Sequence, residues 1–183
     1  MDDSAYALAA LGEPAVPGLV TLLESPSDWV KINAAFALGE MGRRASAAAS
    51  PLIDLLSHPA HPVVRTALDA LGQIGAPEAQ LLPELRRLLL TSNPDWQEPL
   101  YRQWTGENQV RVNAMSALLK LGWHSDDAIA LAVAALDDPC GYVGGFGIEV
   151  LERAGTPHAL KAALEFLKTH RWDSSLNKGV RTY

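Results

Sequence analysis

The residues best equipped for chemistry lie in one irregular stretch, Thr-Ser-Asn-Pro-Asp-Trp-Gln-Glu-Pro-Leu-Tyr-Arg-Gln-Trp-Thr-Gly-Glu, from Thr91 to Glu107. It concentrates Trp96, Tyr101 and Trp104 beside Glu98 and Arg102. Tryptophan, tyrosine and arginine carry much of the energy at interfaces, since stiff aromatic groups give large contact area at small entropy cost. The chemistry on offer is recognition, a clamp for a peptide or a planar ligand. The competing reading is that Trp96 and Trp104 fill the gap between the structural units on either side.

Other reactive residue types are scattered. His58 and His61 are close together but sit in a proline-rich turn, and none of the five histidines is followed by glutamate. Gly141, Gly144, Gly145 and Gly147 form a glycine cluster without the Lys-Ser/Thr and the preceding strand of a phosphate loop. Close packing or a flexible end accounts for them better. Cys140 follows Pro139 at a helix entry, where a thiolate can be favoured; a plain small turn residue is the simpler reading. The sequence therefore implies no catalytic set, no metal site and no cofactor.

Composition narrows the partners. The formal net charge is −6 and the isoelectric point about 5.3, which disfavours nucleic acid, because phosphate binding needs a basic stripe. A single cysteine excludes an intramolecular disulfide and a cysteine-rich zinc site. The opening Met-Asp-Asp-Ser-Ala-Tyr lacks the basic and apolar regions of a signal peptide. No apolar run reaches membrane-spanning length. These features read as a soluble, cytoplasmic protein with no membrane partner. They leave its oligomeric state open.

The elements that must position these residues come from a repeat. Asp28–Gly42 recurs three times downstream, and a shortened copy ends at Gly12 with Leu8 and Leu11. Counting back from the closing glycines Gly42, Gly75, Gly122 and Gly155, a valine stands twelve before (Val30, Val63, Val110, Val143). A small residue stands eight before (Ala34, Ala67, Ala114, Gly147) and a leucine four before (Leu38, Leu71, Leu118, Leu151). Those offsets fall on one helical face. Between glycine and the next copy runs a second helix, whose core positions Leu19, Leu22 and Leu23 return as Leu52, Leu55 and Leu56 and again as Leu85, Leu88 and Leu89. Two helices per repeat of this length make a solenoid.

Val110–Gly122 (Val-Arg-Val-Asn-Ala-Met-Ser-Ala-Leu-Leu-Lys-Leu-Gly) and Val63–Gly75 resemble HEAT repeats. The short bacterial kind, found also in phycobilisome lyases, is the most similar. The resemblance implies an all-α, right-handed solenoid of about five antiparallel helix pairs. The units expected are 2–25, 26–58, 59–91, 108–138 and 139–170, with an insert at 92–107, one domain over 1–170, and a polar tail at 171–183. The resemblance also puts the second helices on the concave side. Two polar columns there, Thr21, Asp54, Arg87 and Gly18, Pro51, Glu84, would line the inner surface, with Asp54 and Arg87 either forming a charged groove or pairing between repeats.

Local departures carry expectations of their own. The Ala-rich stub before Gly12 exposes one flank of Val16–Leu23 and caps the stack poorly, which reads as a chain cut from a longer one. The glycines of the fifth unit should make its first helix weak or late to start. The last helix, Pro157–His170, should turn Leu160, Ala163, Leu164 and Leu167 inward and Lys161, Glu165 and Lys168 outward. The extra residues of the insert should lie between Trp96 and Val110, with no sheet anywhere, and Trp172 in the tail could pack back on the last helix.

Two HEAT-like enzyme families fit this chain poorly. Deoxyhypusine hydroxylases bind iron through His-Glu pairs, which are missing here. Alkylpurine DNA glycosylases use a basic cleft, against the acidic balance of this chain. The reading that remains is a non-catalytic scaffold or accessory domain for a protein or peptide. The alternatives are a tetrapyrrole (bilin) lyase or lyase subunit, and a C-terminal appendage of a larger enzyme.

Overall fold

The computed structural model describes residues 12–101 and 104–170, together with Tyr6, Ala9 and Ala10. Leu8, Leu11, Arg102 and the tail with Trp172 lie outside the described residues. After a 3₁₀ turn at Glu13–Ala15 come helices α1 (Val16–Leu22), α2 (Asp28–Glu40), α3 (Ala49–Asp54), α4 (His61–Ile74), α5 (Glu78–Leu90), α6 (Gly106–Leu121), α7 (Asp126–Ala134), α8 (Gly141–Ala154) and α9 (Pro157–His170). The first helices α2, α4, α6 and α8 stack in chain order in one layer, and the second helices α3, α5, α7 and α9 stack in the other. The described chain is thus an all-α solenoid with one small exception in the insert.

The repeat columns become the core. The leucine column Leu38, Leu71, Leu118 and Leu151 is completely buried, as are Ala67 and Ala114 at the small position. Each fully buried leucine contributes roughly 1.5–3 kcal/mol. The closing glycines end their helices through a positive φ that a side chain would oppose: Gly75 at φ 75° and Gly122 at φ 64°, each donating its N–H back four residues, to Leu71 and Leu118. At the other ends, Thr105 and Ser125 cap α6 and α7, their hydroxyls accepting from Asn108 N and Ala128 N at 3.1 Å.

Adjacent first helices approach closely. A Cβ at Gly39 would stand 3.1 Å from Ala70 Cα, and one at Gly72 would stand 3.2 Å from Ala117 Cα. Glycine at these positions lets α2 approach α4, and α4 approach α6, backbone to backbone, and leaves room for the Gln73 and Lys120 side chains against them. The second helix of the second unit is broken into a 3₁₀ stretch, Gly42–Ala48, the short α3, and a 3₁₀ turn, Leu55–Ser57. Pro83 lies inside α5.

Four expectations need correction. The insert does contain strand: β1 (Pro99–Tyr101) and β2 (Trp104–Thr105) pair antiparallel, with Tyr101 opposite Trp104. Next, α8 starts in register, two residues before its valine as α2 and α4 do, so its glycines do not delay it. A Cβ at Gly144 would lie 2.7 Å from the Leu136 carbonyl oxygen, and one at Gly147 3.0 Å from Leu136 Cδ2, so these two mark tight packing on the turn that follows α7; Gly145 faces open space.

The third correction concerns α9. Its buried line is Ala159, Ala163 and Phe166, while Leu160, Leu164 and Leu167 are 42%, 58% and 42% exposed. The turn before it is short: Gly122 is followed three residues later by its capping Ser125, but Gly155 at once by Thr156, whose hydroxyl accepts from Ala159 N at 3.1 Å. Counted from these caps, Leu160 and Leu167 match Ile129 and Leu136, which are buried; the α9 leucines stand exposed because no described unit packs on that side of α9. Fourth, Leu22 is 39% exposed, although its counterparts Leu55 and Leu88 are buried.

Candidate interaction surface

The insert runs along the edge where second helices hand over to first helices. Asn93 opens it, its side chain accepting from Asp95 N and ordering the short 3₁₀ turn Pro94–Trp96. Trp96 is 6% exposed, and its Nε1 donates to the Pro59 carbonyl at 2.6 Å. It therefore anchors the insert to the loop that begins the third unit. Its burial and this bond fix it in the structure. Trp104 goes the other way: its ring meets Tyr142 of α8 edge-to-face, centroids 5.8 Å apart, and it is half-buried. The two tryptophans thus hold the insert against the third and fifth units.

Beneath the insert lies a buried ionic network that sequence reading did not single out. Glu107, only 6% exposed, accepts from Asn93 N at 3.1 Å, from Gln97 Nε2, and from Arg111 Nη2 at 2.9 Å. Arg111 Nη1 reaches Asp138 at 3.0 Å, and the other Asp138 oxygen accepts from Cys140 N at 2.8 Å. Burial raises the Asp138 carboxyl above its ordinary range, outweighing the backbone donor at Cys140 and the Arg111 guanidinium, which both pull it down. The only sequence signal was the Glu107/Arg111 spacing of four, which normally marks a solvated pair on a helix surface. Asp138, a residue distant in sequence, turns that pair into a buried clamp.

The remaining candidates separate into those held at the surface and those taken up by structure. Glu98 is exposed, Leu100 beside it in β1 is 52% exposed, and Leu90 at the end of α5 is 45% exposed. Tyr101 lies in β1. On the second helices, Asp54 is exposed, but Arg87 does not pair with it. Arg87 bonds Glu84 one turn earlier in α5, at 2.8 Å, and also the Leu56 carbonyl at 2.9 Å. An intrahelical partner and a backbone acceptor across the repeat junction take the place of the expected ion pair.

Cys140 is buried, and burial raises its thiol pKa, so the helix entry does not favour a thiolate. His58 stands 3.5 Å from Asp28. His61 packs beneath the insert, 2.6 Å from where a Cβ on Gly106 would lie. Its Nδ1 is buried without a hydrogen-bond partner. Burial lowers its pKa, and Arg65 lowers it further. Among the described residues no group of three His, Cys, Asp or Glu side chains could hold a metal ion, and no helix is long and apolar enough to cross a membrane. A shallow indentation lined by Leu118, Gly122, Trp123, His124, Val150 and Arg153 encloses no cavity, against the ~300 Å³ or more of ordinary small-molecule sites.

Comparison with known proteins agrees with this geometry. A model of HEAT repeats matches residues 16–99. No curated protein matches the chain. Among solved structures, an engineered protein aligns with a TM-score of 0.62 at 20% identity, covering 98% of this chain and 86% of the other. A second engineered protein aligns at 0.61 and 21% identity, covering 97% of this chain and 51% of the other. Computationally designed armadillo repeat proteins for modular peptide recognition align at 0.59 and 19% identity, over 97% of this chain and 88% of the other. At such identities the likeness shows the fold. Residues 16–99 are thus similar to HEAT repeats, and the described chain beyond them continues the same helical stack.

Proposed function

We propose that this chain is a non-catalytic scaffold that binds a protein or peptide along the edge carrying the insert. The observation that carries the reading is the contrast within the insert. Its base is fixed by buried Trp96 and Glu107, while Leu100 stands 52% exposed on the hairpin and Trp104 is only half-buried. A large apolar group held out on a rigid base binds at small entropic cost. The shallow relief favours an extended partner over a compact small molecule. The solved repeat proteins designed for peptide recognition show that a stack of this fold can serve such a role.

The test is selection of binding peptides from a displayed library on the full chain, followed by Leu100→Ala, Tyr101→Ala and Trp104→Ala. The reading expects selected peptides to lose tenfold or more in affinity for at least two of these variants. Leu100→Ala should leave stability within about 0.5 kcal/mol, the range of ordinary surface changes. Peptides that bind all three variants as well as the parent would move the site elsewhere on the solenoid. Failure to enrich any peptide would count against peptide binding itself.

A further inference from the structure

Both roots of the insert bear on one histidine. At the entrance, Trp96 donates to the Pro59 carbonyl, two residues before His61. At the exit, Gly106 carries β2 into α6, and a Cβ there would stand 2.6 Å from His61 Cδ2 and 3.1 Å from its Nε2. The ring thus fills the space that Gly106 leaves open. Its Nδ1 is buried without a hydrogen-bond partner. A neutral imidazole tolerates that seat with its proton on Nε2. An imidazolium carries an N–H on both nitrogens, and the one on Nδ1 would meet no acceptor and bear its full desolvation cost.

The surroundings do not favour the cation. His61 is the first residue of α4, where a helix presents its positive end. Arg65 stands one turn on, donating to Gln109 Oε1 of α6 at 3.1 Å. Glu107 of α6 already accepts from Asn93 N, Gln97 and Arg111. Asp138 accepts from Arg111 and Cys140 N. In the loop, His58 Nδ1 accepts from Ala60 N and its Nε2 faces Asp28 at 3.5 Å. Asp95 of the 3₁₀ turn is exposed.

We infer that His61 is a proton-sensitive latch for the insert: on gaining a proton the ring leaves its seat and the hairpin lifts, while the helices stay folded. The charged ring reaches water by displacing Gly106 and the turn that Trp96 anchors. The sign follows from the seated ring. Burial, and after it Arg65, hold its pKa below the ordinary value of 6.5, so the open form binds the proton more tightly. Opening therefore rises as the pH falls below about 6.5 and levels off beneath the seated value.

The experiment is hydrogen exchange on the full chain at pH 7.5, 6 and 5, corrected for intrinsic rates, with His61→Phe and His61→Gln. In the parent the amides of residues 91–101 should lose about fivefold or more in protection between pH 7.5 and 5, and those of Ala67–Leu71 in α4 much less. Both variants are uncharged at every pH, so their insert amides should show no pH response; the smaller Gln serves where Phe does not seat. Parent insert amides as protected at pH 5 as at 7.5 would overturn the latch. A response that persists in both variants would also overturn it and move the titration to Asp138 or His58. Equal losses in α4 and the insert would mean global unfolding in place of a latch.

Discussion

Two neighbouring glycines in α8 should respond oppositely to the same substitution. Glycine inside a helix costs about 1 kcal/mol relative to alanine, because the unfolded chain loses more freedom on folding. At Gly145 nothing lies within 4 Å of an added Cβ, so Gly145→Ala should recover most of that, about 0.5–1 kcal/mol. At Gly144 the added carbon would lie 2.7 Å from the Leu136 carbonyl oxygen. That atom is backbone and cannot rotate away, so α8 must lift from the turn that follows α7. Overpacking of this kind costs about 1–3 kcal/mol, which outweighs the helix gain and leaves a net loss of about 1–2 kcal/mol. Gly147→Ala meets the flexible end of Leu136 at 3.0 Å and should fall between the two. For a chain of this size 1 kcal/mol moves the melting temperature by about 2–4 °C. Dilute thermal melts, with hydrogen exchange across Gly141–Ala154 to localise the effect, make the measurement. If Gly144→Ala stabilises as much as Gly145→Ala, close packing of α8 on α7 is wrong, and the glycines serve flexibility.

Three other outcomes are expected. Trp96→Ala should lose about 3–5 kcal/mol in chemical denaturation, the range for emptying a packed aromatic site. Trp96→Phe should lose closer to 1 kcal/mol, since it keeps the ring and removes the donor to Pro59. Glu107→Ala should cost ~3 kcal/mol or more, because it leaves Arg111 buried with only Asp138 and frees the Asn93 N–H; an equilibrium unfolding midpoint close to that of the parent would show that the network is solvated. Finally, the His61 pKa is lower folded than unfolded, so the unfolded chain binds more protons just below the ordinary histidine range. The stability contributed is complete above about 6.5 and is lost as the pH falls through the folded value. Melts from pH 7.5 down to 5 should show the decline, and His61→Phe should flatten it.

The fold was legible because its signals are local and repeat. The columns ending in Leu38, Leu71, Leu118 and Leu151 state a period, and the glycine that follows each column states where the helix ends. What was not legible depended on contacts without a period. The exposure of Leu160 and Leu167 hung on the lack of a described unit beside positions that Ile129 and Leu136 fill inside the stack, which the period of the helix itself does not state. Arg87 chose Glu84 and a carbonyl over Asp54 because side-chain reach across a repeat junction depends on coordinates, not on spacing. The aromatic insert was visible as a departure from the repeat. Its division into Trp96 at the base, Trp104 on the far neighbour and Leu100 in the open was not, because composition says nothing of which ring finds a carbonyl.

The insert also changes what kind of solid the stack is. A plain solenoid behaves as a one-dimensional chain of springs, each unit coupled only to its neighbours, so it unzips from an end one unit at a time. Here Trp96 grips Pro59 and Trp104 grips Tyr142, and a single rigid hairpin ties the third unit to the fifth across the fourth. That is a next-nearest-neighbour coupling. Pulled from its C-terminal end in an optical trap, the stack should hold through α8 and then yield in one large step that releases the fifth, fourth and third units together, with only α1, α2 and α3 left to peel away.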